Sequence, residues 1–445
     1  MFDIVTTPKA NTVAFNTDYP DITNSEALYQ RALGIMPPVT QTLAKGPSQH
    51  VNGVAPKFAE RGQNGHIWDV DGNEYIDFNM GIGPVVLGYC YPKVNEAISA
   101  QLAKGITFSL MHKLEYEVSQ MICDIVPNAE MVRISKSGAD VCTAAIRVAR
   151  AFTGRSKVLC CGYHGWHDWY IATTARDYGI PAEVKALTGT FKYNDIASVK
   201  AALDADTAAV ILEPFVFEQA KEGFLQELQE VCRANGTLLI FDEMWTGFRV
   251  ALGGAQEFFG IKPDLAVYSK AVANGMPIAF ITGRKDVMRL FDQAVFFFTT
   301  FGGEALSLAA TKATLEEMRE KSVQKVLWEK GKQLKEGYAA IVNELGMAGI
   351  TGIIGYPCRT MITFNENAGD PLILKSFFQQ ELIKRGILWG GFHNVCFTHT
   401  QADIDHTLAV YREVLPLLKD AVEKGDAASR LCGLPLEPVF RKVKF

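Results

Sequence analysis

The stretch Thr237-Leu238-Leu239-Ile240-Phe241-Asp242-Glu243-Met244-Trp245-Thr246-Gly247-Phe248-Arg249 decides the fold when it is read with Pro263-Asp264-Leu265-Ala266-Val267-Tyr268-Ser269-Lys270-Ala271 and the Asn274-Gly275-Met276-Pro277 that follows. The first two segments are short apolar runs that stop abruptly at polar residues. Runs of this length and bareness mark strands buried on both faces, as in a parallel sheet. An open α/β sheet binds its ligand off the carboxyl ends of such strands. Asp242 and Lys270 therefore fall at a candidate site.

Working outward, similar runs recur at Met131–Ser135, Lys157–Gly162, Ala208–Pro214 and Ala279–Gly283. Between them lie Gly138–Phe152, Ile196–Leu203 and Leu225–Ala234, whose apolar positions repeat at three and four. The alternation implies βαβ crossovers and a mostly parallel sheet covered on both faces, an α/β fold. This large domain is read over 76–325. Residues 1–75, with a helical pattern near Ser25–Leu33 and a turn at Asp71-Gly72-Asn73, read as an N-terminal arm and strands belonging to a smaller domain. Residues 326–445 supply the rest of that domain as α+β: a long helical pattern from Ser322 to Leu345, strands at 359–364 and 394–398, and helices near 371–385 and 401–423.

Composition bounds the function. With 445 residues, 48% of them hydrophobic, the chain can build more than one core. Its net charge of −5 comes from interspersed acids and bases, which argues against a nucleic-acid groove or a polybasic membrane patch and for small-molecule work. The nine cysteines form no CxxC pair and no metal spacing with histidine, so no metal site is expected and a reducing compartment fits. The start, Met1-Phe2-Asp3-Ile4-Val5, lacks the basic and apolar regions of an export signal, and no apolar run approaches the ~20 residues of a membrane span. The expectation is a cytoplasmic protein.

A carboxylate and a lysine at neighbouring strand ends suit pyridoxal 5'-phosphate (PLP), which needs an amine to hold its aldehyde and an acid to keep its ring nitrogen protonated. A phosphate needs backbone N–H groups at a helix start. Ser135-Lys136-Ser137-Gly138-Ala139-Asp140 offers them after a strand, although a Ser-Gly there is also an ordinary cap. Gly162-Tyr163-His164-Gly165-Trp166 follows another strand; Tyr163 can stack on a cofactor ring or simply pack under a loop. Phe298-Thr299-Thr300-Phe301-Gly302-Gly303 offers hydroxyls and amides to an anion before a helical run, or is only a turn. No GxGxxG follows an early strand, which argues against a dehydrogenase.

Together these segments resemble the class III (ω-type) PLP-dependent aminotransferases, within them the glutamate-1-semialdehyde 2,1-aminomutase-like branch. The likeness runs from about Gly65 to Asp405 and includes Trp68-Asp69-Val70-Asp71-Gly72-Asn73, Ser137-Gly138-Ala139-Asp140, Tyr163-His164-Gly165, Leu212-Glu213-Pro214, Asp242-Glu243, Ser269-Lys270-Ala271 and Thr300-Phe301-Gly302-Gly303. The resemblance implies a fold type I PLP-dependent transferase and a homodimer with shared active sites. It implies Lys270 as Schiff-base residue and proton shuttle, Asp242 on the pyridine nitrogen, and Tyr163 and Met244 on the two ring faces. Ser137, Gly138 and Ala139 would hold the phosphate, Thr300 would reach it from the neighbouring subunit, His164 would lie at the cofactor, and Glu218 would lie near its phenolic oxygen. Pyridoxamine 5'-phosphate would be the intermediate of a ping-pong cycle.

Where the branch has Thr-Glu, Ser-Trp and a glycine-rich lid, this chain has Ala139-Asp140, Gly81-Ile82 and Ala172–Asp177, with Phe215-Val216-Phe217 in its pocket wall and no arginine between Arg31 and Arg61. Those departures favour an aminotransferase working between an amino-acid donor and an aldehyde or ketone, such as a sugar or other polar metabolite. The alternatives are an intramolecular aminomutase and a PLP-binding protein without catalysis.

Overall fold

The computed structural model describes residues 18–215 and 218–438. The first stretch of the expected arm and the Val216-Phe217 part of the pocket wall lie outside the described residues. Two compact units emerge among the described residues, one from 18–82 together with 329–438, the other from Gly83–Trp328. The divisions fall after 82 and 328, where the sequence reading had 75 and 325.

The Gly83–Trp328 unit is built on seven strands: β1 (Met131–Ser135), β2 (Lys157–Cys161), β3 (Thr188–Thr190), β4 (Thr207–Leu212), β5 (Leu238–Asp242), β6 (Leu265–Tyr268) and β7 (Ala279–Gly283). Their order across the sheet is β1-β7-β6-β5-β4-β2-β3. β6, β5, β4, β2 and β3 run parallel; β7 alone is antiparallel to both its neighbours. The mostly parallel sheet expected from the alternation is therefore present. β4, β5, β6 and β7 are buried at every position, which is why they read as continuous apolar runs.

The helix Gly138–Thr153 covers the middle of this sheet. Ser137 caps it: its hydroxyl accepts from the Asp140 backbone N–H at 3.2 Å, and the Asp140 carboxylate accepts from the Ser137 N–H at 3.2 Å. Gly154, at φ 68°, ends it. Val141, Ala145 and Val148 recur at helical spacing and bury fully in a core with Ile211, Ile240, Val267 and Ile281. Each such valine or isoleucine contributes roughly 1.5–3 kcal/mol. That packing fixes the helix start beside the carboxyl ends of the strands.

In the other unit, strands Ala59–Gln63, His66–Asp69 and Glu74–Asp77 form an antiparallel meander that Ile387–Leu388 extends in parallel. Thr351–Tyr356, Arg359–Phe364 and Phe392–His393 make a second, antiparallel sheet, with helices Pro371–Lys384 and Gln401–Glu423. The strand expected at 394–398 is not one. Val395 and Cys396 are buried, but the Cys396 N–H is taken by Nδ1 of His399 at 3.0 Å and the chain turns into the next helix. Burial alone made that run look like a strand. Among the described residues, no helix is long and apolar enough to cross a membrane.

Candidate active site

The carboxyl ends of β1, β2, β5 and β6 converge on one cavity of about 260 Å³ in the Gly83–Trp328 unit. Its lining includes Ser137, Gly138 and Ala139 after β1, Tyr163 and His164 after β2, Asp242 and Met244 at the end of β5, and Lys270 after β6. Asp242 stands opposite Val267, three residues before Lys270, so the two strand ends that carry acid and amine are adjacent in the sheet.

Asp242 is 1% exposed. One carboxylate oxygen accepts from the Met244 N–H at 3.0 Å; the other is 2.7 Å from Nδ1 of His164 and 3.6 Å from Sγ of Cys142. Burial, and then the Asp242 charge, push the Cys142 thiol far above its usual range, so it stays protonated and donates. His164 is itself buried, stacked along Trp169 with centroids 6.1 Å apart and edge-on to Tyr170. Its Nε2 has no hydrogen-bond partner among the described residues. Glu243, next in the chain, points to the opposite side as strand geometry requires. It accepts from the Ala255 and Gln256 N–H groups at 2.8 and 3.0 Å and from the Thr246 hydroxyl. Burial raises its carboxyl to about 7 against those donors.

Lys270 has left-handed backbone at φ 49°. Its amine sits 3.7 Å from the centroid of the Trp245 ring. Across the cavity, the Tyr163 N–H donates to Glu213 at 2.8 Å and the ring is half exposed. Burial raises the Tyr163 phenol, with the charges of Asp242 and Glu213 adding to it. At the helix start, a Cβ on Gly138 would lie 3.0 Å from the Met244 sulfur, so glycine keeps the backbone open beside that side chain. The Ser137 hydroxyl accepts in its cap and keeps its own hydrogen to donate.

Two expected residues stand outside this lining. Glu218 is exposed and accepts from Asn194 at 3.4 Å. Thr300 is exposed in the segment before helix Ala305–Glu320. Five lining residues had been given no role from sequence: Cys142, Gly165, Trp166, Trp245 and Ser269. Cys142 lies four residues after Gly138, hence on the same helix face, and that spacing was the available signal. Trp245 lay within the quoted stretch without a chemical reason to single it out.

The sequence model for "Aminotransferase class-III" matches residues 48–398. A 3-aminobutyryl-CoA aminotransferase of Cloacimonas acidaminovorans (strain Evry) is 33% identical over 411 residues, covering 89% of this chain and 98% of the relative. The FumI protein of Sphingopyxis sp. MTA144, solved in its PLP internal aldimine form, is similar with a TM-score of 0.84 and 27% identity, over 90% of this chain and 98% of that one. A glutamate-1-semialdehyde-aminomutase from Pseudomonas aeruginosa PAO1 shares the fold at a TM-score of 0.79 and 24% identity, over 89% and 94% of the two chains.

Proposed function

Because the chain belongs to the class III aminotransferases, PLP-dependent enzymes that transfer amino groups, we propose that Lys270 is the residue that holds the cofactor and shuttles the proton. The observation that carries this reading is the cavity itself: a buried carboxylate and a lysine amine on adjacent strand ends, with the start of a long helix beside them. These residues fit PLP. The open backbone at Gly138 and Ala139 suits an anionic tail, the buried Asp242 suits a cationic ring nitrogen, and Tyr163 and Met244 suit its flat faces.

When bound, PLP supplies an electron sink for the bond broken at the substrate carbon. The chain's own residues do the rest. Asp242 would hold a proton on the ring nitrogen, and His164 and Cys142 keep its carboxylate in place. The Lys270 amine would take the proton from the substrate carbon and deliver it to the site of reprotonation. Tyr163 and Met244 would pack against the flat faces of the ring.

We assign the donor to the amino acids and the acceptor to an aldehyde or ketone; the name of the Cloacimonas relative adds a β-amino acyl thioester as a second donor class. A second copy of this chain completes the site. Leu110, Met111, Phe296, Phe298 and Phe301 are 58–89% exposed, and the Ala305 N–H donates to the Ile106 carbonyl at 2.8 Å, joining the two segments that carry them. Thr300 lies in the second of those segments and reaches the partner's phosphate in this reading. A reducing cytoplasm suits the nine free thiols.

The test is the visible spectrum of the purified protein before and after L-glutamate or 3-aminobutyryl-CoA, without acceptor. Bleaching of the yellow band with release of an oxo product is expected. Bleaching with return of an isomerised amine and no oxo product would replace the transferase by an aminomutase, and a protein that takes up no PLP would end the proposal.

A further inference from the structure

We propose that Trp245 is a positioning residue for the Lys270 amine, its indole face carrying the positive charge of that nitrogen at the edge of the cavity. The inference rests on Lys270 being the cofactor lysine, and it deepens that reading by saying what sets the nitrogen's place and its affinity for a proton.

Geometry is the argument. The amine stands 3.7 Å from the ring centroid, well inside the range in which the negative face of an indole attracts a cation. The ring also lies close against Gly83. Gly83 has φ 95°, and a Cβ there would collide with the Trp245 ring, so the chain forgoes a side chain to let the indole lie against its backbone. The Gly83 carbonyl accepts from Nη2 of Arg249 at 2.8 Å, and Arg249 is 1% exposed. One stretch of sequence, 242–249, thus supplies the acid, the ring beside the amine and the anchor for the glycine packed against the ring.

A proton shuttle must be neutral to accept a proton and cationic after accepting it. Burial and a cationic cofactor ring both favour the neutral form; the indole face acts in the opposite sense. The other titratable groups lining the cavity are Asp242, His164, Cys142 and Tyr163. They remain the same when only Trp245 is changed, so a shift between variants reports the ring.

The experiment uses the full-length enzyme loaded with PLP. Borohydride reduction and peptide mapping first locate the cofactor; a conjugate on any lysine other than Lys270 overturns the reading of that residue and this inference with it. The pH midpoint of the visible absorption change and the pH profile of kcat are then compared in wild type, Trp245→Met, Trp245→Gln and Trp245→Phe. Removing the ring with Met or Gln is expected to lower the midpoint by about half a unit to one unit, and Phe to restore most of it. A conjugate on Lys270 with an unmoved midpoint in both ring-less variants, or an equal displacement in all three, overturns the inference alone.

Discussion

Each unit buries a histidine against carboxylates, and the two are treated in opposite ways. His66, in the unit without the cavity, spends both ring nitrogens: Nδ1 meets Glu74 at 2.8 Å and Nε2 meets Asp403 at 2.9 Å. Asp403 also closes a capping box with Thr400 at the start of helix Gln401–Glu423, so the ring ties a strand of the meander to that helix. His164 spends Nδ1 on Asp242, and its buried Nε2 has no partner among the described residues. The contrast separates a ring whose two nitrogens tie elements together from one whose hydrogen bond goes to a single carboxylate of the cavity.

The comparison breaks most sharply at Asp242. Asp242→Asn keeps the shape and removes the charge, and turnover is expected to fall about 10³-fold with thermal stability nearly unchanged. A variant that keeps its rate would make Asp242 a structural acid like Glu74. Next comes His66→Phe, which strands two carboxylates. The expected loss is about 3 kcal/mol, a fall of roughly 6–12 °C in Tm by calorimetry, with turnover per folded molecule at the wild-type level.

The smaller effects sharpen the contrast. His164→Phe takes one of its donors from the buried Asp242 carboxylate, so turnover should drop about tenfold while Tm falls by less than in His66→Phe, which strands two carboxylates. A Tm loss matching that of His66→Phe would erase the distinction between the two rings. The last prediction is in pH. Burial opposes the charged His66 ring, but Asp403 and Glu74 raise it above its ordinary 6.5 overall, and the Asp403 carboxyl is lowered from 3.8 although burial opposes this. A raised histidine stabilises fully below its unfolded value and loses that contribution as pH climbs through the folded one; a lowered carboxylate loses its contribution as pH falls through its own. The triad is therefore strongest between roughly pH 4 and 6.5, and the Tm gap between wild type and His66→Phe should narrow from pH 6 to pH 9.

What was legible in the sequence followed from burial pattern and strand-end chemistry. β5 and β6 could be read because strands buried on both faces leave uninterrupted apolar runs, and Asp242 and Lys270 because polar residues at such ends have few reasons to be there. The antiparallel direction of β7 was not legible, since a run such as Ala279–Gly283 looks the same either way. The 394–398 error has the same root: Cys396 is buried by a turn that a histidine ring closes. Cys142 and Trp245 escaped because their part in the site lies in what they touch, Asp242 and the Lys270 amine, and sequence spacing does not reveal which side chains meet across a cavity.

Lys270 stands in left-handed backbone, a conformation that costs a residue with a Cβ roughly 1–2 kcal/mol and costs glycine little. With Lys270 as the proposed cofactor lysine, replacing it with alanine would silence the enzyme and keep that cost, whereas Lys270→Gly would silence it and relieve the strain. A library of this chain sorted for heat resistance alone should consequently drift toward glycine at position 270, discarding the reaction to gain durability. The same glycine variant is the better inert scaffold for trapping a bound substrate.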